Sequence, residues 1–257
     1  MYYGSLTLFV AASTHCFPDV PFTKSLQKLA ELDFHSVEVV VGYGKSDINP
    51  DWLTQDLPGV ARMCFSQRQA TPFAVFVDIP VDDPKYYSIF ERCARLCQVL
   101  KAVTLIVKSS PTGTPYNEEF ERLQKMTRYG LGTGVVISLL TEKDAISGSI
   151  DSLTSLCKGI PELTVALDPS HFIYGYKKPV SYEPIIPRVS HVRLRDTTEN
   201  EFQVQIGQGV LEFSKLVNQL SKVGYRHALC VDLATFPNSD QESELRKMRL
   251  LVESNLF

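Results

Sequence analysis

"LTVALDPSHF", residues 163–172, decides how this chain is read. A short apolar run ends in Asp168, turns through Pro169 and Ser170, and presents His171 three residues after the aspartate. A second run follows, "VSHVRLRD" (189–196), carrying His191, Arg193, Arg195 and Asp196. Both are strand-length and end in ionisable groups. Near-continuous apolar strands imply a sheet buried on both faces, hence parallel strands covered by helices.

The same alternation extends outward in both directions. Upstream, strands are expected over 5–13, 35–42, 71–80, 102–110 and 133–142. Helical patterns separate them at 23–34, 52–66, 83–100, 116–132 and 149–160. Asp83 with Pro84 predicts the start of one helix, and Asn117 is a candidate cap for another. Downstream, a short Pro-bounded segment (180–187) stands in the sixth helix position. The helix over 210–224 closes at Gly224, the eighth strand covers 227–234, and the last helix covers 241–256. Eight strand-then-helix units in 257 residues is the count and size of a (β/α)8 barrel, expected as one domain over 1–257. A doubly wound sheet is the rival. No Gly-rich first turn or P-loop supports it.

Composition excludes several classes. A net charge of -3 argues against a nucleic-acid surface, and the opening "MYYGSLTLFVAAS" lacks both a basic leader and a membrane-length apolar run. The expectation is a cytoplasmic protein with no nucleic-acid or membrane partner, and homo-oligomerisation is left open. The six cysteines are scattered in apolar context and read as reduced core thiols.

A barrel of this kind places its active site at the C-terminal ends of its strands. Read in order, those ends give Glu38 on strand two, Asp78 on three, Lys108 after four, Glu142 after five, Asp168 and His171 after six, and Asp232 on eight. On strand seven, Val189, His191, Arg193 and Arg195 share one face by alternation, and that face should point into the barrel mouth. Lys108 reads as a solvated strand-end lysine or an anion ligand, and Glu38 as a mouth carboxylate or the partner of a neighbouring strand's base. His15, His35 and His227 read as ordinary. Such a mouth is polar rather than aromatic, which suits a small hydroxyl-rich molecule.

"LDPSHF", "HVRLRD", "GQGVLEFSKLVNQLSKVGY" and "ALCVDL" together resemble the second half of the xylose isomerase-like TIM barrels, the sugar phosphate isomerases and epimerases. "STHCFPDVPFTKSLQKLAELDFHSVEVVV" resembles that family's opening unit. The resemblance implies a manganese, magnesium or zinc ion held by a Glu on strand five, the Asp of strand six, the second His of a His-x-His on strand seven and a Glu on strand eight. Here Asp168 matches. Leu140 stands near the first position with Glu142 two residues late, Arg193 replaces the histidine, and Asp232 replaces the last glutamate. Arginine offers only donors and cannot ligate a metal. No metal is therefore expected; were one bound, Asp168 and Asp232 would hold it. Arg193 either neutralises those carboxylates in the metal's place or forms a buried ion pair that fills the mouth.

The resemblance further implies Asp168, Asp232 and Glu142 as catalytic groups. His171, His191, Arg193, Gln208, Lys108 and Glu38 are expected to bind substrate, Gln208 from the Gly-rich stretch before helix seven. Two functions remain open: isomerisation or epimerisation of a sugar or sugar phosphate, and a catalytically degenerate barrel that binds carbohydrate or serves a structural role. The apurinic endonucleases of the same superfamily require a many-ligand zinc cluster and a basic face, which five histidines and the negative charge do not supply.

Overall fold

Eight parallel strands close into a barrel in chain order, β1 (Phe9–Ser13), β2 (Ser36–Gly42), β3 (Thr71–Asp78), β4 (Thr104–Val107), β5 (Val136–Leu140), β6 (Thr164–Leu167), β7 (Val189–Leu194) and β8 (Ala228–Val231), in a computed structural model that describes residues 8–236 and 239–256. β8 pairs with β1, so no edge is left open. Residues 5–7 of the expected first strand lie outside the described residues.

Helices cover the outside: α1 (Phe22–Glu31), α2 (Pro50–Gln55), α3 (Leu57–Cys64), α4 (Tyr86–Leu100), α5 (Tyr116–Thr133), α6 (Ile150–Gly159), α7 (Phe213–Lys222) and α8 (Gln241–Ser254). The single helix expected over 52–66 is two, because Asp56 leaves helical geometry and caps α3 through the N–H of Gly59. α4 begins later than Asp83, whose carboxylate accepts the N–H of Lys85 and closes a turn ahead of the helix. Asn117 sits inside the first turn of α5, which Pro115 precedes. A 3-10 helix, Glu183–Arg188, occupies the sixth helix position, where Pro184 and Pro187 withhold the N–H groups an α-helix needs. Gly224, at φ 75, terminates the α7 segment in left-handed geometry.

The main core lies between strands and helices, where alternate residues such as Leu139, Val165, Val192, Leu229 and Val231 are buried. Inside the barrel, a small apolar cluster of Val40, Ala74, Phe76, Ile106, Leu140 and Ala166 fills the β2–β6 side. Glu38, His191, Arg193 and Cys230, all buried, fill the other side. That side of the barrel's plug therefore carries a buried ion pair, Glu38 with Arg193. All six cysteines are buried and unpaired, and burial pushes the Cys16 and Cys64 thiols up to about 12.

Candidate active site

β7 carries the site, and a bulge sets its register. Val165 pairs with Val189 but Ala166 with His191, leaving Ser190 as the extra residue. Strict alternation would place Ser190 outside and Val189 inside. Instead Val189 packs on the outer core, while the Ser190 hydroxyl meets Thr164 at 2.7 Å and donates to Ser138 at 2.9 Å. Beyond the bulge, His191, Arg193 and Arg195 all face inward.

Glu38 from β2 is their first partner. His191 Nε2 lies 2.8 Å from Glu38 Oε2, and its ring stacks on Phe73 with centroids 5.6 Å apart. Arg193 grips the same carboxylate with Nε, at 3.2 Å, and with Nη2. Its Nη1 reaches Asp232 Oδ2 at 3.4 Å, and its guanidinium lies 4.0 Å over the Phe76 ring. Burial alone would push the Glu38 carboxyl up. The Arg193 charge and His191 outweigh it and hold Glu38 well below the usual carboxylate range. Asp232 follows the same balance, with burial raising it and Arg193 and Arg195 lowering it further.

Arg195, one turn of the pleat nearer the mouth, makes the link between strands six and eight. Its Nη2 sits 3.0 Å from Asp168 Oδ2 and 2.7 Å from Asp232 Oδ2. The Phe202 ring covers the guanidinium, 4.6 Å from its carbon. Asp168 is held further by the N–H of Ser170 at 3.0 Å and by the Ser170 hydroxyl. The sequence assigned the metal-replacing charge to Arg193; the residue lying between the two carboxylates is Arg195. These residues do not fit a divalent ion on the four-ligand pattern. Leu140 belongs to the apolar cluster, Arg193 offers only donors, and the facing oxygens of Asp168 and Asp232 already accept from a fixed cation.

The accessible part of the mouth lies toward the ends of β4, β5 and β6. A cavity of about 260 Å³ is lined by Ser109, Glu142, Lys143, Asp144 and His171 among others. Burial pushes the Glu142 carboxyl up, against the opposing charges of Lys108 and Arg193. The backbone N–H of Lys143 donates to His171 Nδ1 at 3.1 Å, which places the ring proton on Nε2. Burial pulls the His171 pKa down, so the ring is neutral near pH 7 and offers an N–H donor. Next to this cavity, at the ends of β3 and β4, Lys108 pairs with Asp78, and His15 Nε2 lies 3.2 Å from Asp47 and 3.6 Å from Asp78.

The structure thus brings Glu38, Asp168, His191, Arg193 and Asp232 into one connected network, with His171 and Glu142 on its open side. Lys108 is ion-paired rather than simply solvated. Gln208 does not join: it lies on an exposed loop and its amide meets Gln205 at 3.2 Å. That loop is clamped by Asp196, whose Oδ2 accepts the N–H groups of Gly207 at 2.8 Å and Gly209 at 3.0 Å. His191 lies beneath the mouth, 1% exposed, where no solute reaches it. Sequence reading placed Arg195 on the inward face with His191 and Arg193 but gave it no role at the site. It also passed over His15 and over the aromatic pair of Phe202 and Tyr174, which packs at 5.6 Å beside His171. The mouth has an aromatic wall after all.

Comparison with known proteins agrees with this architecture. A family model described as xylose isomerase-like TIM barrel matches residues 26–251. A xylose isomerase-like TIM barrel protein from Mycobacterium smegmatis, solved in complex with magnesium, superposes with a TM-score of 0.79 at 12% identity, covering 99% of this chain and 98% of that one. A xylose isomerase domain protein from Alicyclobacillus acidocaldarius gives 0.75 at 16% identity over 97% and 98%. D-allulose 3-epimerase from Methylomonas sp. gives 0.75 at 11% identity over 97% and 98%. At these identities the likeness carries the fold. No curated protein matches by sequence.

Proposed function

The chain belongs to the xylose isomerase-like TIM barrel family, and from that premise we propose that it is a sugar or sugar phosphate isomerase or epimerase. Its site works on a small polyhydroxylated substrate without the four-ligand metal. The observation that carries this is one cavity at the strand ends holding both a carboxyl pushed up by burial, Glu142, and a neutral imidazole with its proton on Nε2, His171. The similarity of the fold to that of D-allulose 3-epimerase supports the substrate class.

In this reading the Glu142 carboxylate removes the proton from the carbon beside a substrate carbonyl. The bond's electrons move onto the carbonyl oxygen, which the His171 N–H receives. Returning the proton from Glu142 to the former carbonyl carbon, while the neighbouring hydroxyl passes its proton through His171 Nε2 to the former carbonyl oxygen, gives an isomer. An epimer requires the proton to come back from a group on the opposite face. His171 Nε2 lies 3.9 Å from Asp168 Oδ2, whose charge Arg195 offsets at 3.0 Å.

Incubating ketoses, aldoses and their phosphates in D2O tests this by proton NMR. Deuterium should enter a carbon next to the carbonyl, and Glu142→Gln should slow that exchange by about 10²–10⁴-fold. A second reading is a barrel that binds sugar without turning it over. The filling of the metal position by Arg195 favours it. Thermal stabilisation by a sugar with no deuterium entry would select this second reading.

A further inference from the structure

Beside the Glu142–His171 cavity lies a second one, of about 430 Å³, with Lys143 and Ala145 lining both. Its wall is formed by loops after β4, β5 and β6 and by the start of α6. Thr112, Thr114, Ser149 and Ser152 bring hydroxyl groups to it, together with Tyr176 and Lys143. No carboxylate lines it, in a chain with more acidic than basic side chains.

Lys143 is held there in an uncommon way. Its ammonium sits 5.1 Å from the centroid of Tyr174 and 5.1 Å from that of Tyr176. Gly175 between the two tyrosines has φ 76, and a Cβ there would overlap the ammonium. The run Tyr174-Gly175-Tyr176 therefore wraps the charge, and the missing side chain makes the room. Among the described residues the ammonium pairs with no carboxylate. The other lysine of this mouth, Lys108, is neutralised by Asp78. Two aromatic faces fix a lysine in place but leave its charge unbalanced.

A fixed, uncompensated ammonium beside several hydroxyl donors and no acceptor charge is complementary to a tetrahedral oxyanion. We infer that this second cavity binds the phosphate group of a phosphorylated sugar, so that the substrate's carbonyl end rests between Glu142 and His171. The inference rests on the sugar-acting reading for the second half of that statement only. The backbone of Lys143 adds a coupling: its N–H positions His171 while its side chain meets the anion, so one residue registers both ends of the substrate.

Titration with inorganic phosphate, followed by melting temperature and by 31P line width, tests the anion site without reference to catalysis. Phosphate should raise the melting temperature of the native protein, and Lys143→Met should weaken binding at least tenfold. Thr114→Glu, which adds a carboxylate at the wall, should do the same from a residue outside the aromatic cage. Fructose 6-phosphate should bind more tightly than fructose, and gluconate, whose anion is planar, should not reproduce the gain. The inference is overturned if phosphate leaves the native protein unchanged, if it binds both variants as well as the native protein, or if fructose and fructose 6-phosphate bind alike. Deuterium exchange on neutral sugars with no phosphate binding would sink this inference and leave the proposed function standing. Phosphate binding without exchange on any sugar would do the reverse.

Discussion

A guanidinium and a divalent ion make opposite demands on the residues around them. The ion needs lone pairs from every side, whereas Arg195 supplies donors and needs only carboxylates. With Asp168 and Asp232 both on Arg195, exchanging Leu140, Arg193 and Asp232 for Glu, His and Glu is not enough to create a metal site. Adding Arg195→Asn to those three should be the step at which manganese binding appears in calorimetry, and binding without that fourth change would contradict the geometry. Arg193 answers to Glu38 instead. Arg193→Ala leaves that buried carboxylate uncompensated and should cost about 3–5 kcal/mol in urea unfolding. The same pair sets the acid response. The folded pKa values of Glu38 and Asp232 both lie below their unfolded values, about 4.3 and 3.9. Their stabilisation is fully present above those unfolded values and is lost as pH falls through the folded ones. The urea midpoint should hold down to about pH 5 and fall steeply below about pH 4, and Glu38→Gln should make that fall shallower. For Glu142 the shift is upward, so the acid limb of any exchange activity should lie above the ordinary carboxylate range.

At the level of elements, β7 shows what a single sequence reveals and what it conceals. Its alternation of His191, Arg193 and Arg195 is a local property of the strand and was legible. The bulge at Ser190 was not, because it arises from how β7 registers against β6. The partner of Arg193 was concealed for the same reason: Glu38 is 155 residues away, and only barrel closure brings it near. The loop after β7 follows a different logic. Asp196 accepts N–H groups from Thr197, Gly207 and Gly209, and this clamp sets Phe202 against Arg195 and His171. A Cβ on Gly209 would overlap the Asp196 carboxylate. Gly209→Ala should therefore cost about 1–3 kcal/mol, as overpacked sites do, and expose residues 197–210 to limited proteolysis. Resistance equal to that of the native protein would show that the loop does not depend on the clamp.

Across the whole molecule, the barrel was legible because each β/α unit carries its own apolar signature, and eight such signatures leave few architectures. The site was legible only by strand end, since position along a strand is local but contact across the barrel is not. Among the described residues, no helix is long and apolar enough to cross a membrane. The packing of helices onto the closed sheet has one more consequence, for the six buried thiols, five of which lie outside the strands. Burial keeps them in the protonated, unreactive form, and none is more than 5% exposed. A thiol reagent can then reach most of them only when a helix leaves the sheet or the barrel opens, so the speed of labelling becomes a clock for opening events. Cys157, on the last turns of α6, should label first, and the remaining five together at the urea concentration where the helical signal is lost. Staggered labelling of those five would mean instead that the cylinder comes apart in sections, with each cysteine marking the strand-and-helix unit it belongs to.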